Sequence, residues 1–244
     1  MKCIFLAAGY ATRLYPLTEN FPKPLLEVRG KSILDWVMDD LEEYGTIDQY
    51  VVVSNHRFAK HFDQWAKRRD AARISVVDDG TMDNEHRLGA VRDMALALAQ
   101  GGMDDEVLVA AGDNLLDFSL WRLVEYGRAK GTSCVMRYSE PDAARLRKSG
   151  VLSIDDAGRV LAMAEKPAEP QSHWCCPPFY YFIRSDAERV NEALAAGCKE
   201  DAPGSYISWL CGVSPVHAME MPGRRHDIGN LESYERAQRE YRKE

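Results

Sequence analysis

Cys3 to Leu6 is a short apolar run that reads as a buried strand, and it empties into Ala7-Ala8-Gly9-Tyr10-Ala11-Thr12-Arg13. Pro16, Pro22 and Pro24 keep a long helix from starting at once, and a helical pattern resumes only near Ser32. A strand that opens into small residues leaves backbone N–H groups free to face a ligand, and such a concavity suits an anion. Arg13 sets a planar fork beside it and Lys23 a point charge. Two common phosphate loops are excluded. The dinucleotide fingerprint needs three spaced glycines and an immediate helix, and only Gly9 is present; the P-loop needs Gly-Lys-Ser/Thr, which this stretch lacks. An ordinary strand-to-loop connection with surface cations fits the same residues.

Downstream, the periodicity alternates between strand and helix. Lys31 to Tyr44 predicts an amphipathic helix with Ile33, Leu34, Val37, Met38 and Leu41 on one face, capped by Ser32 and stopped by Gly45. Tyr50–Ser54 and Arg73–Val77 read as strands around a polar helix from about Phe58 to Arg68. Strand–helix–strand–helix–strand implies parallel pairing with right-handed crossovers. A turn-rich loop, Asp78–His86, leads to a helix over Arg87–Gln100, then a strand over Glu106–Ala111 that ends in Gly112-Asp113-Asn114. A carboxylate at the end of a parallel strand sits where open α/β sheets bind ligands, although such an Asp alone also serves as a turn or cap residue. Asp117 is the expected cap of a helix over Ser119–Lys130. Thr132–Tyr138 reads as a strand, and Gly150–Ile154 with Arg159–Ala164 as a hairpin turning at Asp155-Asp156-Ala157-Gly158. An aromatic strand (Phe179–Ile183), helices at Ser185–Ala196 and Tyr206–Cys211, a strand (His217–Met221) and a final helix from Leu231, capped by Asn230, complete the pattern.

At 244 residues the chain is long enough for a sizeable core. Its net charge of −7 argues against sequence-independent nucleic-acid binding, but leaves room for local phosphate sites. No apolar run is long enough to span a bilayer, and the first residues enter a strand directly, so neither a membrane partner nor a signal peptide is expected. Six cysteines, at 3, 134, 175, 176, 198 and 211, lack metal-ligand spacing and read as reduced thiols of a cytoplasmic protein.

Leu-Ala-Ala-Gly-x-x-Thr-Arg-Leu-x-Pro-Leu-Thr from Leu6, followed by Pro22-Lys23-Pro24-Leu25-Leu26, resembles the opening motif of the sugar-1-phosphate nucleotidyltransferases. The resemblance implies a Rossmann-like, mixed and mostly parallel sheet flanked by helices, of the nucleotide-diphospho-sugar transferase type, with a small β-hairpin sugar-binding lobe. It implies a single domain over residues 1–244, with nucleotide binding in about 1–130 and acceptor binding in about 131–244. Arg13 and Lys23 inherit the catalytic contacts to phosphate. Leu6, Ala8, Gly9 and Thr12 inherit the nucleotide loop, with Asn84, Arg87 and Gly89 near base and ribose. Asp113 and Asp227, the latter in Asp-Ile-Gly-Asn, inherit a shared Mg²⁺. Gly150, Glu165 and Lys166 of Glu-Lys-Pro inherit the sugar and its phosphate. One position departs from the pattern: Ala11 stands where many members have a second glycine, so a left-handed backbone there is costlier.

The implied reaction is Mg²⁺-dependent transfer of a nucleotidyl group from a nucleoside triphosphate to a sugar 1-phosphate, with UTP or dTTP favoured and CTP open. The implied partners are those two small molecules, in a monomer or homo-oligomer. A rival on the same fold is a cytidylyltransferase for phosphocholine or a similar head group. It would use an aromatic box, for which Trp174 and Phe179–Ile183 are the residues available, although they also read as packing. A non-catalytic nucleotide- or sugar-phosphate-binding regulator would be expected to lack at least one of Arg13, Lys23, Asp113, Lys166 and Asp227, and all five are present. His226 reads as a loop residue, since imidazole suits Mg²⁺ less well than oxygen does.

Overall fold

The computed structural model describes residues 1–45, 47–100 and 105–243. In chain order it runs β1 (Lys2–Leu6), β2 (Glu27–Val28), β3 (Lys31–Ser32), α1 (Ile33–Glu43), β4 (Gln49–Ser54), α2 (Ala59–Arg69) and β5 (Ile74–Asp78). It continues through α3 (Ala90–Gln100), β6 (Val107–Ala111), β7 (Asn114–Leu116), α4 (Trp121–Lys130), β8 (Ser133–Ser139) and α5 (Ala143–Leu146). Then come β9 (Gly150–Ile154), β10 (Val160–Glu165), β11 (Trp174–Cys176), β12 (Phe179–Phe182), α6 (Arg184–Ala187), α7 (Val190–Ala195) and α8 (Gly204–Leu210). The chain closes with β13 (Val216–Glu220), β14 (Arg225–Asp227) and α9 (Leu231–Glu240). The expected α/β architecture, a mixed sheet flanked by helices, is present.

Two compact units share the chain, each assembled from separated segments. The first comprises Met1–Arg87, Ala111–Trp121 and Pro222–Glu244. Here β1, β4 and β5 pair in parallel, in register from Lys2↔Gln49 and Tyr50↔Ile74 onward, as the β-branched runs and intervening helices predicted. Helix α2 packs on β4 and β5. Ser32 accepts the amide of Asp35 and so caps α1, and Gly45 ends the helix in a left-handed conformation. Strands β7 and β14 pair antiparallel in register Asp227↔Asn114 and His226↔Leu115. Beneath them Leu14, Leu26, Val28, Ile33, Leu115, Ile228, Ala237 and Tyr241 form one buried cluster. The Tyr241 hydroxyl donates to the Leu116 carbonyl, and Lys243 pairs at 2.7 Å with the buried Asp40.

Three details of this unit differ from the sequence reading. Asp117 does not cap α4: its carboxylate accepts the Arg224 amide instead, while Ser119 Oγ takes the Trp121 amide and Asp40 that of Leu120. Tertiary partners outbid the local cap because the β7–β14 pairing brings residue 224 beside 117. His226 lies in a strand, not a loop, with its ring edge-on to Tyr241. The 3₁₀ turns at Thr12–Leu14 and Lys23–Leu25 and the short strands β2, β3, β7 and β14 carry no periodic signal.

The second unit comprises Leu88–Ala110 and Arg122–Met221. Its strand order is β10-β9-β11-β8-β12-β6, with β13 also pairing parallel to β8. The β9–β10 hairpin turns where expected, with Asp155 accepting the amides of Ala157 and Arg159 and Gly158 left-handed. Helix α3 packs on α7, α7 on α8, and α8 on β10. The single helix expected over Ser185–Ala196 is two short ones, α6 and α7, which separates the segment that follows β12 from the one that meets α3. Cys3, Cys134, Cys175 and Cys176 are buried, all six cysteines are free thiols, and burial raises the Cys134 thiol to about 11. No described helix is long and apolar enough to cross a membrane.

Candidate active site

The loop after β1 is held from both ends. Ala7 N–H still donates to Val53, and the Ala8 carbonyl accepts Asn55 Nδ2. Tyr10 is buried, its hydroxyl 2.9 Å from Thr81 Oγ1, which in turn donates to Asp79. Ala11 takes φ 47° and ψ 40°, so the alanine in the glycine's place keeps the left-handed turn. Its carbonyl accepts both the Leu14 amide and the buried Thr18 hydroxyl, which hold it there against a strain of about 1–2 kcal/mol. The amides of Gly9, Tyr10, Ala11 and Thr12 donate to no protein acceptor among the described residues. Exposed Arg13 forms no ion pair among them either. A strained backbone that leaves consecutive donors open next to a cation is an arrangement that binds anions.

Lys23 opens the next 3₁₀ turn, with 12 % of its side chain exposed. Its ammonium donates to Asp113 Oδ2 at 2.6 Å and to the Ile228 carbonyl at 2.9 Å. Asp113 follows Gly112, whose amide donates to the Leu6 carbonyl and whose missing side chain makes room for Pro24, 3.1 Å from where a Cβ would stand. Asn114 Nδ2 donates to Asp113 Oδ1 at 2.6 Å. The Ile228 amide donates to the Asp113 carbonyl, and Asp227 stands opposite Asn114 in the β7–β14 ladder. The two aspartates singled out from sequence are therefore neighbours, joined by three-residue strands that the sequence did not disclose. Burial works against charge on Asp113, but the Lys23 ammonium, followed by Arg225, holds its carboxyl below the usual range.

The donor set fits a hard divalent cation. Asp113 is ionised; Oδ2 accepts from Lys23 and Oδ1 from Asn114, and a carboxylate's four lone-pair sites leave room for a cation beside them. Asp227 adds a second carboxylate, half exposed. Among the described residues no group of three His, Cys, Asp or Glu side chains forms a ready-made cage. Two carboxylates completed by substrate oxygens and water is the way Mg²⁺ is commonly held.

Asn84 lies in the exposed loop after β5, where Asp83 caps the Glu85 and His86 amides and Asn84 O accepts Arg87. Gly89, in the second unit, has φ 100°, and a Cβ there would stand 2.7 Å from the Glu200 carbonyl oxygen. That oxygen accepts the Val91 amide and Asp201 O that of Ala90, so Gly89 is a glycine required by the docking of α3's first turn.

The second unit gathers the remaining candidates. Gly150 and Glu165 are direct partners across the β9–β10 ladder. A Cβ on Gly150 would meet Met163 Cε at 2.5 Å, and one on Gly204 would meet Glu165 Oε1 at 2.0 Å. The Glu165 carboxylate thus sits in a slot made by two glycines, where it accepts the Gly204 amide, and burial raises its pKa against the opposing charge of Lys166. Gly204 went unnoticed in the sequence because nothing in its neighbours marks it. Lys166 is exposed, forms no ion pair among the described residues, and holds φ 49° directly before Pro167. A non-glycine residue in that conformation is strained, and strain of this kind gathers at functional positions. No aromatic box forms from the other candidates. Trp174 is covered by the Arg137 guanidinium, 4.1 Å from its ring centre, and Phe179, Tyr180, Tyr181 and Phe182 are all buried.

The architecture has solved counterparts. A UDP-glucose pyrophosphorylase complexed with UDP-glucose aligns with TM-score 0.81 at 20 % identity, covering 98 % of this chain and 97 % of that one. A putative glucose-1-phosphate thymidylyltransferase from Bacillus anthracis aligns with TM-score 0.79 at 21 % identity over 98 % and 94 % of the two chains. At that identity they establish the fold. The chain belongs to the nucleotidyl transferase family, whose model matches residues 2–244. It is 27 % identical to the UTP–glucose-1-phosphate uridylyltransferase AglF of Haloferax volcanii, over 100 % of this chain and 98 % of that protein. It is 30 % identical to a putative mannose-1-phosphate guanyltransferase of Sulfolobus acidocaldarius, over 97 % of this chain and 62 % of the relative. It is 26 % identical to the bifunctional protein GlmU of Methanocaldococcus jannaschii, over 94 % of this chain, and spans about half (51 %) of that relative's length.

Proposed function

We propose that this chain transfers a nucleotidyl group from a nucleoside triphosphate to a sugar 1-phosphate in the cytoplasm, releasing pyrophosphate, with Mg²⁺ as the metal. One observation carries the reading: the pairing of β7 with β14 sets Asp227 beside Asp113-Asn114, with the ammonium of Lys23 on the same carboxylate. The open amides of the Gly9–Thr12 loop and the Arg13 guanidinium would take the triphosphate. Asp113 and Asp227 would hold Mg²⁺, which when bound supplies positive charge to phosphate oxygens. Lys166 would take the sugar's phosphate, and Glu165 would accept a hydrogen bond from a sugar hydroxyl.

An oxygen of the acceptor phosphate attacks the α-phosphorus in line. One P–O bond forms, the bond to pyrophosphate breaks, and no proton moves, because the attacking oxygen is already ionised. The residues position and neutralise, and no general base is required. UTP or dTTP is the favoured donor, with CTP as the next. Since a guanyltransferase stands among the relatives, GTP belongs in the same screen. The free thiols accord with a reducing compartment.

The choline-type alternative lacks support, since Arg137 fills the face of Trp174 that a quaternary ammonium group would need. The deciding experiment is pyrophosphate release from each triphosphate against a panel of sugar 1-phosphates and phosphocholine, with and without Mg²⁺. Turnover with a sugar phosphate alone supports the proposal; turnover with phosphocholine alone, or none with any pair, defeats it.

A further inference from the structure

Arg225 was not among the residues singled out from sequence, yet it links the two aspartates. Its side chain is only 17 % exposed. Nη1 donates to Asn114 Oδ1 at 2.8 Å, Asn114 Nδ2 donates to Asp113 Oδ1 at 2.6 Å, and Nη2 stands 3.7 Å from Asp227 Oδ2. Lys23 closes the circuit between Asp113 Oδ2 and the carbonyl of Ile228, the residue after Asp227. The amide of Asn114, 1 % exposed, has one sensible orientation in this ring. Turned over, it would set its NH₂ against a guanidinium and its oxygen against a carboxylate.

We propose that Arg225, acting through Asn114, is a positioning residue for the divalent cation. The guanidinium fork fixes the Asn114 amide, Asn114 fixes the rotation of the Asp113 carboxylate, and the other arm of the fork steadies Asp227. The two carboxylates are thereby held in one relative pose before the cation arrives, which is how hydrogen-bonded neighbours of metal ligands raise affinity. This inference rests on the reading of Asp113 and Asp227 as the metal carboxylates. It assigns to Arg225 a role opposite to that of a simple neighbouring cation, which would repel the metal. Lysine in its place would keep the charge but not the fork.

The test is Mn²⁺ binding to the protein alone, followed by loss of the free ion's six-line EPR signal, together with the Mg²⁺ concentration that half-saturates pyrophosphate release. Arg225→Lys is expected to raise the Mn²⁺ dissociation constant and the half-saturating Mg²⁺ concentration by about tenfold each, with thermal unfolding within a few degrees of wild type. Arg225→Met is expected to weaken Mn²⁺ binding as well. Wild-type half-saturation in Arg225→Lys, or tighter Mn²⁺ binding in Arg225→Met, overturns the proposal. If the Arg225 variants do not fold, Asn114→Ala cuts the same chain from its other end and is judged by the same criterion. Asp227→Asn separates the two levels. If it binds Mn²⁺ as wild type does, the metal assignment itself fails; if it loses binding while Arg225→Lys does not, only the positioning role fails.

Discussion

Asp113 and Glu165 are both partly buried carboxylates at candidate positions, one in each compact unit, and their protonation runs in opposite directions. Burial opposes charge on both. At Asp113 the Lys23 ammonium, 2.6 Å away, and then Arg225 more than offset it, and the group stays ionised. At Glu165 the compensation is the nearby Lys166 and the Gly204 amide, and burial wins. The contrast teaches what each carboxylate is suited to meet. A carboxylate kept charged by a cation suits another cation once phosphate can take the lysine. One raised toward neutrality in a glycine-walled slot suits a neutral hydroxyl, where hydrogen bonding and shape decide the outcome.

The largest expected effect tests that division directly. Asp113→Asn should lower pyrophosphate release by about 100- to 1,000-fold, the usual scale for losing one fixed electrostatic contact to the reacting charge. Glu165→Gln keeps an acceptor and should act mainly through the sugar phosphate's KM. If Glu165→Gln costs as much in kcat as Asp113→Asn, the two carboxylates do not differ in the way their surroundings indicate. Gly204→Ala follows in size. Its Cβ would lie 2.0 Å from Glu165 Oε1 and must push that carboxylate out of its slot. The expected result is a KM for sugar phosphate raised by about tenfold, equivalent to about 1.4 kcal/mol, with the KM for triphosphate unchanged. An equal change in both would show that Gly204 serves the fold at large.

Smaller still is a pH effect confined to Glu165. Its folded pKa lies above its unfolded value. Its stabilising contribution is therefore fully present below the unfolded pKa and is lost as pH rises through the folded one. A glutamine cannot ionise. The melting temperature of Glu165→Gln should then rise relative to wild type between pH 4 and pH 7. A difference that stays constant over that range would remove the argument that burial controls this group.

The two regions also differ in how far they could be read in advance. The β9–β10 hairpin and its turn were legible because the turn formers Asp155-Asp156-Ala157-Gly158 between two strand-like runs are a local signal, whereas the Glu-Lys-Pro at its end was marked only by the family resemblance. Also legible were β1, β4 and β5, as short apolar or β-branched runs, and α1 and α9, whose apolar faces repeat at helical spacing and whose caps Ser32 and Asn230 act as expected. The closing of the first unit's site was not legible in periodicity or spacing, and only the family resemblance put Asp113 and Asp227 together. That closing depends on β7 and β14, three residues each, too short for any periodicity, and the pairing spans nearly half the chain. Arg225 could not be singled out because its partners are fixed only by that register. Gly204 escaped notice for a related reason: it is required by a neighbour distant in sequence, Glu165.

Ala11 and Lys166 supply the last and smallest comparison. Both hold left-handed backbones at candidate positions, φ 47° and φ 49°, where glycine would rest more easily. At Ala11 the side chain is a methyl group, so Ala11→Gly removes strain and little else. Relief of about 1–2 kcal/mol, less the cost of glycine's greater freedom when unfolded, should leave the protein more stable by about 0.5 kcal/mol, read as a small rise in melting temperature. Turnover should hardly change, because Leu14 and Thr18 still tie the Ala11 carbonyl. At Lys166 the same exchange removes strain and the cation together, so stability should rise while sugar-phosphate binding falls. If Lys166→Gly leaves that binding intact, the conformation is a consequence of the Glu-Lys-Pro corner alone, and the lysine has no part in holding phosphate.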